Sequence, residues 1–140
     1  MEDLNKAQCL LAEGGYTCVL CKGDTVHTSH HRGVRPLMEL LGDDVSGFSA
    51  ADKVVGKATA LLYCLLGIQA LWAGVISDAA LKVLEAHGIP VQWRTRVPQI
   101  QNREGTGRCP MEQATEGISD PKDAPAAIRA KLAELQKQSR

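Results

Sequence analysis

The sequence predicts a single α/β domain over residues 1–140, built as a three-layer α/β/α sandwich around a mixed sheet of about four to five strands. Three observations lead to this fold class. The chain has 140 residues of which 44% are hydrophobic, enough for one buried core. A hairpin pattern lies near the amino end, and strand and helix patterns alternate after it, which is typical of βαβ units.

The amino-terminal part predicts a helix followed by a hairpin. Residues 4–13 have helical apolar spacing and end at two glycines. Residues 16–21 and 25–28 are short strand-like runs, and the residues 22–24 between them have turn composition. Pro36 then opens a short helix over 36–41, which Gly42 ends before a polar loop.

Residues 52–66 predict the strongest helix of the chain. Asp52 is a favourable N-cap residue, and Gly67 suits the left-handed position after the helix. The segment is apolar around most of its circumference, so we expect the helix to be buried.

The carboxyl-terminal half predicts two more strands and three more helices. Residues 70–76 form a continuous apolar run, typical of a central strand covered on both faces. Ser77 or Asp78 caps the next helix, and residues 91–97 alternate as a half-exposed strand. Pro110 opens a short helix, and a last helix over about 121–138 carries an apolar stripe of Ile128, Leu132 and Leu135.

Charge and hydropathy exclude some partners. Sixteen basic residues balance sixteen acidic ones, so no broad basic field attracts nucleic acid. Polar residues interrupt the longest apolar run, residues 58–73, so it does not predict a membrane span. The five cysteines are odd in number and follow no secretory signal, which favours a reduced, cytoplasmic setting.

Two lysines suggest an anion site. Lys53 and Lys57 are four residues apart, in what are the first turns of the predicted helix. The positive end of a helix disfavours cations unless an anion is held there. Gly56, which is costly inside a helix, is explained if a group must approach the backbone closely. The alternative is that both lysines reach solvent and Gly56 packs against a neighbouring element.

Cys109 is a second candidate for chemistry. It precedes Pro110, so it occupies the cap position of a short helix, with Glu112 placed as in a capping box. The helix dipole and nearby arginines favour the thiolate, so Cys109 is a candidate nucleophile or redox-sensitive thiol. The alternative is a small cap residue without chemistry.

The cysteines of the CxxC pattern do not predict a metal site. Cys18 and Cys21 point to opposite faces if residues 16–21 form a strand, and no second ligand pair has matching spacing. We therefore expect neither a metal nor another cofactor. The role of His27, His30 and His31 stays open.

Four motifs give the chain a family resemblance. Residues 33–41 (GVRPLMELL), 51–62, 75–89 and 97–113 resemble the DUF1893 family, a small prokaryotic family of unknown function in the cytidine deaminase-like superfamily. The resemblance covers residues 16–118 and implies the same three-layer fold.

The resemblance also implies a deaminase-like pocket without zinc. Zinc deaminases carry H-x-E and P-C-x-x-C at two helix starts. Asp52-Lys53-Val54 occupies the first place here and Ser77-Asp78-Ala79-Ala80 the second, without histidine or cysteine ligands. The pocket would be lined by Asp52, Lys53, Lys57, Ser77 and Asp78. The family motif also places Asn102, Arg103, Thr106 and Cys109 at or near it.

Two functional hypotheses follow. In the first, the protein is a metal-free, transferase- or hydrolase-like enzyme for a small anionic or nucleotide-like molecule, with Lys57, Cys109 and Asp52 as catalytic candidates. Its ligand-binding candidates are Lys53, Gly56, Arg35, Ser77, Asp78, Asn102, Arg103 and Thr106. In the second, the protein is a non-catalytic ligand-binding or regulatory module. RNA modification or sulfur handling is a weaker third possibility. Exposed apolar surface and superfamily habit both suggest a homo-oligomer, a dimer or larger.

Overall fold

The computed structural model describes residues 2–31, 33–101, 107 and 109–138. Six α-helices and five strands follow one another along the described chain, joined in two places by a short 3₁₀ turn. The helices are α1 (Glu2–Gly14), α2 (Arg35–Glu39), α3 (Lys57–Leu66), α4 (Asp78–Ala86), α5 (Pro110–Thr115) and α6 (Ala124–Gln138). The strands are β1 (Cys18–Lys22), β2 (Thr25–Ser29), β3 (Ser49–Val55), β4 (Ala70–Ser77) and β5 (Val91–Val97).

The five strands form one mixed sheet in the order β2-β1-β3-β4-β5. Strand β1 is antiparallel to both β2 and β3, whereas β3, β4 and β5 are parallel to one another. The α/β fold and the mixed sheet predicted from the sequence are therefore confirmed. Because β3, β4 and β5 are parallel, their carboxyl ends meet at one edge of the sheet, where α3 and α4 begin.

Helices cover both faces of the sheet. Leu20, Ala50 and Leu71 belong to the larger core cluster, which also contains residues of α2, α3, α4 and α6. Their neighbours in sequence, including Val19 and Ala51, belong to a second cluster formed with α1. This division follows from the alternation of side chains along a strand.

The predicted helix over 52–66 is wrong in its first part. Residues 49–55 form the central strand β3, and the helix begins only at Lys57, with Gly56 as its N-cap. Asp52 is therefore not a cap. The small residues Ala50 and Ala51 are fully buried between two neighbouring strands, and pairing with β1 and β4 satisfies the backbone hydrogen bonds of this segment. Nothing local distinguishes that outcome from a buried helix, because both bury a short apolar run.

The predicted helix ends are confirmed where local chemistry sets them. Gly67 has φ 75°, and its N–H bonds to the carbonyls of Tyr63 and Cys64 at the end of α3. Ser77 caps α4, with its hydroxyl oxygen accepting the N–H of Ala80 at 3.2 Å.

The last helix is also confirmed, in two pieces. A 3₁₀ turn, Pro121–Asp123, leads into α6. Ile128 of the predicted stripe is fully buried, whereas Leu132 is 38% exposed. The stripe therefore joins the core mainly through its first residue.

We expect Gly74→Ala to destabilise the protein by about 1–3 kcal/mol, because an alanine Cβ would lie 2.6 Å from the backbone oxygen of Lys53 in β3. Strand backbones cannot separate there without lengthening ladder hydrogen bonds. The free energy of unfolding in urea measures the effect. Gly42→Ala, whose Cβ meets no atom within 4 Å, is the control and should change stability by less than about 0.5 kcal/mol. Equal stability of the two variants would contradict a tight β3–β4 contact.

Candidate functional site

The candidate site lies at the carboxyl-terminal ends of strands β3 and β4. Gly56 and Ser77 are the N-cap residues of α3 and α4, and they follow or end these two neighbouring strands. Strand β1 runs in the opposite direction, so its first residue, Cys18, pairs with Asp52 near the same edge. Residues far apart in sequence are thereby assembled around two helix starts.

The N-terminus of α3 already holds a carboxylate. The backbone N–H of Lys57 donates a hydrogen bond to Oε1 of Glu112, a residue of α5 that is only 4% exposed. A negative group is favourable there, because the first N–H groups of a helix lack partners and carry partial positive charge. The side-chain Nζ of Lys57 donates to the carbonyl oxygen of Glu116 at 2.8 Å, so the lysine is tied to α5 at both ends.

Gly56 makes room for this carboxylate. A Cβ on Gly56 would collide with Oε1 of Glu112 and lie 3.3 Å from Cγ1 of Ile100. The φ of Gly56 is −96°, which any residue adopts, so the requirement for glycine is steric. The predicted place of Gly56 inside a helix is wrong, because Gly56 is the N-cap of α3. Of the two explanations offered for it, the structure has the alternative: Gly56 packs against a neighbouring element, through Glu112 of α5.

Cys109 lies next to the same assembly. It is the N-cap residue of α5, as predicted, and its carbonyl accepts the N–H of Glu112 and of Gln113. The predicted capping box is wrong, because the N–H of Cys109 bonds to the carbonyl of Ile100 at 2.9 Å, and Glu112 reaches α3 instead. The Cys109 thiol makes no cap hydrogen bond and is half-buried.

A buried polar chain lies behind the helix start. The hydroxyl of Tyr63 in α3 donates to Oδ2 of Asp52 at 2.7 Å, and Sγ of Cys18 is 3.2 Å from the same hydroxyl oxygen. Oδ1 of Asp52 accepts the N–H of Val54 at 3.3 Å. The side chains of Asp52, Tyr63 and Cys18 are all buried, so the carboxyl group has protein partners in place of water.

Burial shifts the protonation of this chain. Loss of hydration raises the pKa of Asp52 to about 7, against the opposing effect of the hydrogen bonds from Tyr63 and the backbone. Burial, reinforced by the Asp52 charge, raises the pKa of both Cys18 and Tyr63. Of these three hydrogen-bonded side chains, Asp52 is therefore the one that exchanges a proton near neutral pH, while the Cys18 thiol stays protonated.

Comparison with known proteins identifies the family. The family model described as a domain of unknown function, DUF1893, matches residues 6–132. The chain belongs to the DUF1893 family. It is similar to the crystal structure of a DUF1893 family protein from Thermotoga maritima, with 25% sequence identity and a TM-score of 0.85. That match covers 93% of this chain and 90% of the other. Among curated proteins, none matches.

The DUF1893 fold separates several residues that the sequence grouped together. Lys53 lies exposed in β3 and not on the helix face of Lys57, so the predicted lysine pair is wrong. Arg35 is at the start of α2, where its exposed side chain faces Glu39 at 3.6 Å. Asp78 accepts a hydrogen bond from Arg96 of β5 at 2.6 Å. The structure brings together Gly56, Lys57 and Cys109, with Ser77 and Asp78 on the adjacent helix start.

Three predicted ligand-binding residues cannot be placed. Asn102, Arg103 and Thr106 lie outside the described residues. The proposed equivalence of Asp52-Lys53-Val54 with a deaminase H-x-E motif is also wrong in position, because these residues belong to a strand and not to a helix start. Ser77-Asp78, which was compared with the P-C-x-x-C motif of zinc deaminases, lies at a helix start as expected.

The cysteines of the CxxC pattern point to opposite faces of β1, as the strand alternation predicted. Cys18 belongs to the larger core cluster and Cys21 to the cluster under α1. Within the described ranges, no group of three or more histidine, cysteine or acidic side chains could hold a metal ion. In the same part of the chain, no helix is long and apolar enough to cross a membrane.

Sequence reasoning gave Glu112 the wrong contact and did not name Tyr63. Glu112 contacts Lys57 across 55 residues, and no sequence periodicity records such a contact. Tyr63 left a weak signal, as a hydroxyl-bearing residue within an apolar helix that needs a buried partner.

We expect the stability of the protein to fall as pH rises from about 4 to about 7. Asp52 has a folded pKa raised from 3.8 to about 7, so the folded state binds a proton that the unfolded state has released. The stabilising contribution of the protonated form is complete below pH 3.8 and is lost on passing through pH 7. The slope from this group approaches about 1.4 kcal/mol per pH unit.

Asp52→Asn tests this expectation because the amide keeps hydrogen-bonding capacity without charge. We expect the variant to be more stable than the wild type at pH 8, by roughly 2–4 kcal/mol, and its stability to depend less on pH. Urea unfolding from pH 4 to pH 8 measures both. A variant with the wild-type slope would show that Asp52 does not titrate in this range.

We expect Glu112→Ala to destabilise the protein by about 1–3 kcal/mol, because it removes the acceptor of a partly buried N–H. Glu112→Gln keeps an oxygen acceptor and should lose less. Urea unfolding gives the stability, and amide hydrogen exchange at Lys57 reports the bond itself. Glu85→Ala, at an exposed position of α4, is the matched control. Wild-type protection of the Lys57 amide in Glu112→Ala would refute the contact.

Proposed function

We propose that this DUF1893 protein is a zinc-independent relative of the cytidine deaminases that binds a small anionic or nucleotide-like molecule. The resemblance in four sequence motifs supports the three-layer, deaminase-like fold, and the mixed sheet with helices on both faces is consistent with it. The binding site is the start of α3, with Gly56, Lys57 and Cys109 around it.

The Glu112 carboxylate at the start of α3 is the observation that carries this proposal. An oxyanion bound to the Lys57 N–H, in the space left by Gly56, shows what chemistry this terminus accepts. A phosphate or carboxylate of a ligand has the same acceptor oxygens. The ligand therefore binds by taking the place of the Glu112 side chain, and α5 adjusts to release it.

The contacts of the catalytic candidates favour binding over catalysis. The ammonium group of Lys57 donates to a backbone carbonyl, which is a positioning contact and does not prepare a base. Asp52 and Tyr63 are buried behind the helix. We therefore propose the non-catalytic, ligand-binding hypothesis ahead of an enzymatic one. The homo-oligomer and the cytoplasmic setting remain predictions.

A thermal-shift series with Gly56→Ala tests the proposal. Nucleoside monophosphates and inorganic phosphate serve as probes, and we expect at least one nucleotide to raise the Tm of the wild type by mass action. The added methyl group fills the oxyanion space, so Gly56→Ala should lose that ligand-induced rise while still unfolding cooperatively.

Gly42→Ala is the matched control, because its methyl group meets no atom within 4 Å. It should keep the full ligand-induced rise in Tm. A rise that survives unchanged in Gly56→Ala would place the ligand elsewhere and overturn the site at α3. No rise with any nucleotide or with phosphate would overturn the ligand class.

A further inference from the structure

A second candidate site lies between the β1–β2 hairpin and α2. A cavity of about 440 Å³ opens there, within the size range of small-molecule sites. Its lining includes Cys18, His27, Ser29, His31, Pro36 and Glu39. Cys18 belongs both to this lining and to the buried chain with Tyr63 and Asp52.

The polar groups of the cavity include several that can donate a hydrogen bond. The imidazoles of His27 and His31 donate through at least one ring nitrogen, and Ser29, whose oxygen accepts the His31 N–H at 3.1 Å, keeps its own hydrogen for an acceptor. Among the described lining residues Glu39 is the acidic one, and Arg35 faces it at 3.6 Å. These donors can bind an acceptor group of a ligand.

In the buried Asp52–Tyr63–Cys18 chain, the number of hydrogens on each group decides which group donates each hydrogen bond. Tyr63 has a single hydroxyl hydrogen and gives it to Oδ2 of Asp52. The contact between Tyr63 and Cys18 is therefore donated by the Cys18 thiol when Asp52 is ionised. In that state the Cys18 sulfur offers the cavity lone pairs but no hydrogen.

Protonation of Asp52 reverses donor and acceptor in both hydrogen bonds of this chain. Oδ1 is occupied by the N–H of Val54, so a proton on Oδ2 is donated to the oxygen of Tyr63. Tyr63 then turns its hydrogen toward Sγ of Cys18, and the thiol hydrogen is released toward other acceptors. No covalent bond between heavy atoms changes, and one proton is taken up from solvent.

We propose that this cavity binds a small molecule through an oxyanion, and that binding is coupled to proton uptake at Asp52 through reversal of the Asp52–Tyr63–Cys18 chain. The protonated chain presents a donor to the oxyanion, whereas the ionised chain presents a lone pair and a nearby negative charge. This site is separate from the one proposed at the start of α3.

Other titratable groups line the cavity. They are His27, His30 and His31 on the β2 side and Glu39 on α2, whose carboxylate is 3.6 Å from Arg35. His30 is held by the carbonyl of Gly15 and the ring of Tyr16. Because these groups are unchanged in Asp52→Asn, that variant isolates the contribution of Asp52.

The test is an NMR titration of the whole protein with inorganic phosphate and, separately, with acetate, at pH 6 and pH 8. Amide shifts of Ser29 and Leu40 report the cavity, and those of Lys57 and Glu112 report the start of α3. With Asp52 titrating at about 7, the affinity of the wild type for acetate, which is ionised at both pH values, should fall by up to about tenfold from pH 6 to pH 8. Shifts with phosphate alone or with acetate alone identify the source of the oxyanion, and either supports the site.

Asp52→Asn fixes the chain in its reversed direction, because the amide donates to Tyr63. We expect it to bind at least about fivefold more tightly than the wild type at pH 8 and equally at pH 6. Asp43→Asn, on the exposed loop, is the matched control and should behave as the wild type.

Tyr63→Phe breaks the chain and provides an independent measurement. It should remove most of the difference in affinity between pH 6 and pH 8 that Asp52 causes. Equal affinities of wild type and Asp52→Asn at pH 8, or an unchanged pH profile in Tyr63→Phe, would overturn the coupling. Shifts confined to Lys57 and Glu112 would overturn the cavity as a site and leave the one at α3.

Discussion

The hydrogen bonds of the buried Asp52 carboxyl group tie the central strand of this structure to the helix and the strand beside it. Asp52 lies in the central strand β3, and its two oxygens accept from Val54 of the same strand and Tyr63 of α3. Tyr63 in turn meets Cys18 of β1. A buried polar group without partners is costly, so these bonds favour the observed placement of α3 over β1 and β3, in which all three side chains have partners.

A second long-range contact supplements this constraint. The start of α3 needs a negative group, and the chain supplies one from α5, through Glu112. The same helix receives the Lys57 ammonium on the Glu116 carbonyl. Helix α5 is thereby held against α3 by two polar contacts. Any ligand that uses the α3 terminus must compete with a group of the protein itself, so affinity for a ligand and docking of α5 are linked.

The sequence predicted elements correctly where the signal is local. The apolar run of β4, the Ser77 cap and the left-handed Gly67 all depend on residues within one turn of each other. It predicted β3 wrongly, because a short buried segment such as residues 49–55 has the same apolar content in a strand or a helix. The choice was made by the two neighbouring strands, which supply its hydrogen bonds.

The same division applies to the candidate site and to the molecule as a whole. The sequence by itself determined the α/β class, the helix ends at Ser77 and Gly67, and the opposite orientation of Cys18 and Cys21. Only the tertiary structure decided that Gly56 is a helix N-cap in close contact with Glu112, that Lys53 and Lys57 separate, and that Asp52, Tyr63 and Cys18 form one chain. The physical reason is range: caps and side-chain alternation depend on neighbouring residues, whereas the partner of a buried polar group is chosen by packing between distant segments.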